Sequence, residues 1–529
     1  MNISAMKHIY IIMAAVAALL FGSCTNDLDQ KPVYGTNSGT VYSTLEGYGQ
    51  VLAKIYSTYS LIGNQKAGGA DIGTNSGYDL MRCLFNLQES PTDEVAQVWL
   101  SGENQANLSD MSWDANDVWV SDTYYRLYYS IALCNEFLRY CTPDAISGFT
   151  ADEQAEIRHY AAEARFMRAF SYYWVLDLFG QGPFVNEDTP TAGYVPEGYD
   201  DQQLFDFVKS EIDAIEADLV ETNQYGRAGK AAAWALGSRL CLNAERYTGT
   251  SHASDVIAYA KKVMALPYTL ESDYFKLFNA DNDKRTNEIL FAFVADQTNA
   301  VTWGSATYFC MGGCSTDATA AESYGLKSTG WGNFRFRGAF SSTFGEGDLR
   351  GRMWTTKEGT PQEQYITGSL ETDTYGYWPM KWTNLNDAGE PYSDTNADGC
   401  DIDNPAFRLA EVYLNAAEAV LRGGQGMSRS EAIALVNLVR TRAYGNSDGN
   451  ITDAQFNLPF MLEERGRELY HEYQRRSDLI RFNAFTTADK MWEWKGGVVD
   501  GRAVDARYNV YPIPATEISA NPNLKNPLY

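Results

Sequence analysis

The densest group of chemically capable residues lies toward the C-terminal end, where Glu463, Glu464, Glu468 and Glu472 stand at helical spacings beside Arg465, Arg467, Arg475 and Arg481. Paired carboxyl groups are what glycoside hydrolysis needs, one of them kept protonated by a raised pKa. Three or four positions from an arginine on a helix, however, a carboxylate pairs with the guanidinium and stays ionised. The second reading is preferred, and it extends to Glu163, Arg168, Glu418 and Asp478 as charges whose pairing fixes helix packing. Asp281, Asp283, Asp401 and Asp403 supply hard oxygens of the kind that hold a structural calcium. Acid-rich loops are more often simply solvated, so no metal ligand is assigned. Beyond the first residues the chain has only His159, His252 and His471, far apart in sequence, which argues against a histidine-based zinc centre or a Ser/His triad. Cys310 and Cys314 could bridge locally, but they serve equally well as small hydrophobes.

Composition narrows the partners. A formal net charge of -26 and a pI near 4.6 oppose binding to nucleic acid or anionic lipid headgroups. Eight cysteines spread over 529 residues do not make a disulfide scaffold. Aromatic residues reach 13%. Tryptophan and tyrosine fill cores, yet they also present an apolar face with a polar edge, which suits amphipathic ligands.

The start of the chain bears on location. Lys7 precedes an apolar run, Ile9 to Phe21, followed by Gly22, Ser23 and Cys24. The run falls short of the roughly 20 residues that cross a bilayer, so it reads as a signal peptide over residues 1–23. Phe21-Gly22-Ser23-Cys24 resembles a bacterial lipobox, in which the cysteine is acylated, with Phe21 where that motif usually carries leucine. A multiply acylated Cys24 would hold the protein to a membrane without a spanning helix, through a polar tether over residues 24–40.

Long amphipathic helices must position whatever site the chain carries. Apolar periodicity predicts helices over Asp117–Tyr140, Thr150–Phe179, Gln203–Leu219, Gly229–Arg246, Ala253–Ala265, Phe407–Arg422, Ser428–Ala443 and Asn457–Phe482. They come in pairs with alanine and aromatic packing positions and resemble tetratricopeptide units, though without a strict repeat. Between residues 267 and 404 the periodicity fades into short runs of Gly, Ser, Thr, Asp, Trp and Tyr. An irregular stretch of that length is usually functional or disordered, and its aromatics favour function. The fold expected is mostly α, a single unit over 41–529, with a helical platform near 117–265 and 405–482 and an irregular, loop-rich ligand-binding region near 267–404.

Four blocks in order resemble the SusD/RagB family. The first ends Tyr128-Tyr129-Ser130-Ile131-Ala132-Leu133-Cys134-Asn135. The second runs from Ala162-Glu163-Ala164-Arg165-Phe166 to Leu178-Phe179-Gly180-Gln181-Gly182-Pro183. The third spans Phe407 to Ala419 and Asn437 to Ala443. The last holds Glu464-Arg465-Gly466-Arg467-Glu468-Leu469, Arg475, Asp478 and Arg481, then Tyr511-Pro512-Ile513-Pro514. The resemblance implies an outer-membrane, lipid-anchored, surface-exposed protein. Such a protein captures oligo- or polysaccharide and delivers it to a SusC-like TonB-dependent transporter, without being an enzyme and without a cofactor. A surface glycoside hydrolase and a protein-binding tetratricopeptide scaffold are the alternatives.

The starch-capturing branch of that family offers a closer comparison. Arg82, the Ser90-Pro91-Thr92-Asp93-Glu94 turn, Trp99 and Asn104 resemble its arrangement of an arginine, a turn, a stacking tryptophan and an asparagine. Tyr308 and Gly330-Trp331-Gly332-Asn333 fall about where it has a second aromatic group. The resemblance implies that Trp99, Trp331 and Tyr308 stack on pyranose faces while Arg82, Asn104 and Asp71 hydrogen-bond hydroxyls. Gln97 stands where that branch has a tryptophan, and Ser101-Gly102 is inserted before Asn104.

Overall fold

The computed structural model describes residues 38–63, 70–296, 298–392 and 399–529. Cys24 and the expected signal peptide lie outside the described residues. The chain divides at Gln50 by packing, and the elements that carry the candidate site belong to Val51–Tyr529. Among the described residues no helix is long and apolar enough to cross a membrane.

In chain order the main helices are α1 (Leu45–Ser60), α2 (Leu80–Gln88), α3 (Val118–Arg139), α4 (Ala151–Phe179), α5 (Asp201–Ile215), α6 (Lys230–Leu242) and α7 (Ala253–Met264), followed by α8 (Leu409–Leu421), α9 (Arg429–Tyr444), α10 (Leu458–Leu469) and α11 (Arg475–Arg481). Their ends follow capping chemistry. Thr150 and Glu153 form a reciprocal capping box at the start of α4, and Gly180, at φ +66°, closes its far end by donating to the Leu176 carbonyl. Ser428 with Glu431 and Gly445 do the same for α9. Consecutive helices pack as pairs, α3 on α4, α6 on α7 and α8 on α9, and α7 also contacts α8. Close approach within a pair needs small residues: a Cβ on Gly237 of α6 would come within 2.9 Å of the Tyr259 ring on α7.

Two short antiparallel ladders join the platform to the irregular region. Strand β1 (Val95–Gln97) pairs with β3 (Phe334–Phe336), setting Val95 opposite Phe336 and Gln97 opposite Phe334. Strand β2 (Ile289–Phe293) pairs with β4 (Asn404–Arg408) through a bulged register. Phe291, Phe293 and Phe407 from this second ladder meet Phe166 and Phe170 of α4, with ring centroids 5.3–6.4 Å apart. These rings form the contact through which the ladder seats on the helical layer.

Three expected helices are corrected. The stretch read as one helix over Asn457–Phe482 breaks between α10 and α11, where His471 and Tyr473 take φ +58° and +65°. Phe407 and Arg408, read as helical, belong to strand β4. The helix expected over Gly229–Arg246 ends at Leu242, capped by Asn243, and a separate five-residue helix, Ala244–Thr248, follows it.

The charges are paired, but mostly between elements far apart in sequence, with Glu418–Arg422, Glu464–Arg467 and Asp478–Arg481 at the expected helical spacing. Glu163 accepts from Arg227 at 3.0 Å and from the Tyr56 hydroxyl at 2.6 Å. Arg168 donates to Glu211 and Asn135. Glu418 accepts from Arg481 and Arg422 at 2.7 Å each. Glu468 lies between Arg408, Arg442 and Arg350, and Asp478 between Arg465 and Arg481. Burial alone would raise Glu464 and Glu468, but the surrounding guanidinium groups hold both down at about 2. That is the reverse of what a general acid requires.

Candidate functional site

Helix α2 supplies the floor of a cleft of about 450 Å³. Asp79 caps α2 by accepting from the Arg82 amide at 2.9 Å. The same buried carboxylate accepts from the Thr302 hydroxyl and from the Ser305 amide, tying a loop more than two hundred residues away to the start of the helix. Burial pushes the Asp79 carboxyl above its ordinary value, against the pull of these donors. Gly304 sits so close that a Cβ there would lie 2.0 Å from the Asp79 carboxylate. The loop can therefore dock only with glycine at this position, and docking it turns Trp303 outward beside the cleft, 49% exposed.

Arg82 is clamped. Its guanidinium carbon lies 3.5 Å from the centroid of the Tyr78 ring and 3.9 Å from that of Tyr308. It donates to Glu103 at 2.5 Å. Burial by itself would lower the guanidinium pKa, but Tyr308, Glu103 and Tyr78 together hold it above its ordinary value. The Arg82 side chain is nearly inaccessible, at 1%, whereas Glu103 keeps 19% of its surface.

The opposite wall comes from the segment after β1 and from the residues before β3. Trp99 is 50% exposed, and its indole N–H donates to the Gly332 carbonyl at 3.2 Å. Trp331, Gly332 and Asn333 hang on the turn at Tyr308–Gly312 and just beyond it: the Trp331 amide donates to Met311, that of Asn333 to Gly312, and that of Gly332 to Cys314. A Cβ on Gly330 would lie 2.3 Å from the Cys314 carbonyl, so this crossing also depends on glycine. Trp331 is half-buried and lines the cleft, as does Asn333, whose buried side-chain oxygen has no hydrogen-bond partner among the described residues.

Of the expected site residues, Arg82, Trp99 and Trp331 converge on this cleft. Tyr308 does not face it. The ring is fully buried under Arg82 and packs on Phe85 and Phe334, with its hydroxyl near Gln97. It supports the arginine and cannot serve as a stacking platform. Asn104 follows Glu103 in a left-handed turn at φ +56°, exposed but outside the lining. Asp71 lies elsewhere, paired with Lys54. Tyr78, Glu103, Trp303 and Asn333 were missed. Trp303 carried a signal, since it precedes a glycine as Trp331 does; Glu103 carried none.

Asp283 and Asp401 lie near Asp403, but among the described residues these acidic loops bring no three ligand atoms within 4.8 Å of one another. Asp281 accepts from Lys284 at 2.7 Å and from the Asp387 amide at 2.8 Å. Asp403 is buried and accepts from the Ala295 amide at 2.8 Å. Among the described residues, the one set of three metal-capable groups within 4.8 Å of one another is Cys241, His252 and Asp255. There the His252 ring nitrogen already lies 2.7 Å from the Asp255 carboxylate. Cys310 and Cys314 are not bridged to each other.

Paired, tetratricopeptide-like helices, with an aromatic cleft formed where residues 78–103 meet the irregular region, define a class of helical folds. Comparison places the chain within that class. Residues 267–529 match the model of the SusD family. The starch-binding protein SusD of Bacteroides thetaiotaomicron is 31% identical, over 97% of this chain and 97% of its own. A SusD superfamily protein from Parabacteroides distasonis has the same fold, with a TM-score of 0.71 at 19% identity, covering 94% of this chain and all of its own. So has surface glycan-binding protein A of Bacteroides thetaiotaomicron, solved with laminarihexaose, with a TM-score of 0.68 at 17% identity, covering 92% and 99% of the two chains. The chain belongs to the SusD family.

Proposed function

We propose that this protein is a surface lipoprotein that captures oligo- or polysaccharide in the aromatic cleft and passes it to a SusC-like TonB-dependent transporter without cleaving it. The observation that carries the reading is the set of three tryptophans, Trp99, Trp303 and Trp331, arranged around one cleft with two of them half exposed. Exposed indole faces beside polar groups suit the apolar faces and hydroxyl edges of sugar rings. A starch-binding relative at 31% identity and a structural neighbour solved with laminarihexaose support it. The absence of cleavage is supported by the carboxylates that invited a hydrolase reading, because Glu464 and Glu468 are locked among arginines.

Affinity electrophoresis in polysaccharide gels, run beside an assay for new reducing ends, tests capture against hydrolysis. Retardation without new ends is expected. Membrane attachment is tested by Cys24→Ala, which should leave the detergent phase, and delivery by recovery of a β-barrel partner under mild solubilisation.

A further inference from the structure

We infer that Glu103 makes the cleft selective for uncharged glycans and that anionic sugars, whether uronates or sulfate esters, are turned away there. The inference rests on the capture reading above and adds to it the chemical class of the ligand.

Arg82 is the cation lining the cleft, and its charge is already compensated by Glu103, although its buried Nε–H has no hydrogen-bond partner among the described residues. Both guanidinium faces are covered, by Tyr78 and Tyr308 at 3.5 and 3.9 Å, and one edge is held by Glu103 at 2.5 Å. What faces a ligand is the partner: Glu103 is the more accessible of the two, 19% against 1%. Asn333 adds a buried side-chain oxygen with no partner in the described residues. Two acceptors and three indole faces favour a ligand that brings hydroxyl donors and apolar ring faces. A carboxylate or sulfate on the sugar would be set against Glu103 with no free counter-charge nearby. The chain's overall negative charge also repels anions, but that long-range effect is screened within about 8 Å at physiological salt, whereas a contact with Glu103 is not.

The test is affinity electrophoresis at 0.15 M and higher salt, backed by calorimetry with short oligosaccharides. The neutral set is amylopectin, laminarin and dextran; the anionic set is polygalacturonate and chondroitin sulfate. Wild-type protein should bind at least one neutral glycan and no anionic one. Glu103→Gln, which keeps the shape of the side chain but removes the negative charge that compensates Arg82, should shift the anionic-to-neutral affinity ratio at least tenfold upward, and Glu103→Asp should restore the wild-type ratio. Anionic binding by the wild type that is as strong as neutral binding and is lost in Trp99→Ala would overturn the selectivity while leaving capture standing. An unchanged ratio in a folded Glu103→Gln protein would remove Glu103 from the role. Folded wild type that binds neither set would sink the capture reading and this inference with it.

Discussion

Two aromatic residues beside the cleft make opposite predictions. Trp303 touches solvent over half its surface, so Trp303→Ala should weaken glycan binding at least tenfold while leaving the melting temperature near wild type, read by calorimetry and thermal unfolding. Tyr308 is buried between Phe85, Phe334 and the Arg82 guanidinium, so Tyr308→Ala should cost about 3 to 5 kcal/mol of stability, and binding should fall only as Arg82 loses its support. The sequence distinguished these residues poorly because exposure is a tertiary property. Trp331 lines the cleft as expected but is more buried than Trp99 or Trp303, because its flanking glycines serve a tight backbone crossing rather than exposure. Tyr308 looked equivalent by position, and nothing local shows that Arg82 lies over its ring. Glu103 is a further case: its meaning comes from Arg82, twenty-one positions earlier.

The elements were read more reliably than the residues. Apolar periodicity located α3, α4, α7 and α9; α3, α4 and α9 also begin at a side-chain cap that the sequence spells out, whereas α4 is buried on all sides from Phe166 to Phe179 and α7 has no side-chain cap. It failed at the junction of α10 and α11, where tertiary bonds override local preference. There the His471 amide donates to Glu94 at 3.1 Å, the Gln474 amide donates to Glu89 at 3.1 Å, and Arg475 grips both oxygens of Asp93 at 2.7 Å. The Pro-Thr-Asp-Glu turn is thus a joint between elements rather than part of the ligand surface. Asp93→Asn would remove the carboxylate that Arg475 and Lys490 share, leaving buried Arg475 with Glu94 at 3.6 Å, and a loss of about 3 to 5 kcal/mol is expected by chemical denaturation. At the loop that presents Trp303, Gly304→Ala must move the loop away from Asp79; a sharp loss of glycan binding with a smaller change in stability is the expected result.

At the scale of the whole molecule, two groups of carboxylates set the pH window in opposite directions. Glu464, Glu468 and Asp478 are held at about 2, so their stabilisation is complete above the unfolded values near 4 and is lost as pH falls toward 2. Asp403 is pushed up to about 7, chiefly by burial and then by the nearby Asp283 and Asp401 charges, against the amide of Ala295 and the Tyr225 hydroxyl. Its neutral form is favoured in the fold, so it contributes most below about pH 4 and costs stability as pH rises through 7. Glu89 is likewise pushed up to about 7 by burial, so thermal unfolding should show a maximum at mildly acidic pH, and Asp403→Asn should lessen the decline between about pH 4 and 7 without altering the acid limb. The floor of the cleft is fastened by residues from the opposite end of the chain: Asp93 by Arg475, and the Leu87 carbonyl by the Tyr511 hydroxyl at 2.7 Å. Contacts of such long sequence separation close late, after the intervening loop entropy has been overcome. A nascent or partly translocated chain would carry the tryptophans and Arg82 and still have no cleft, so binding competence would arise only when the last helices arrive, and a chain cut after α10 would be inert although no removed residue lines the site.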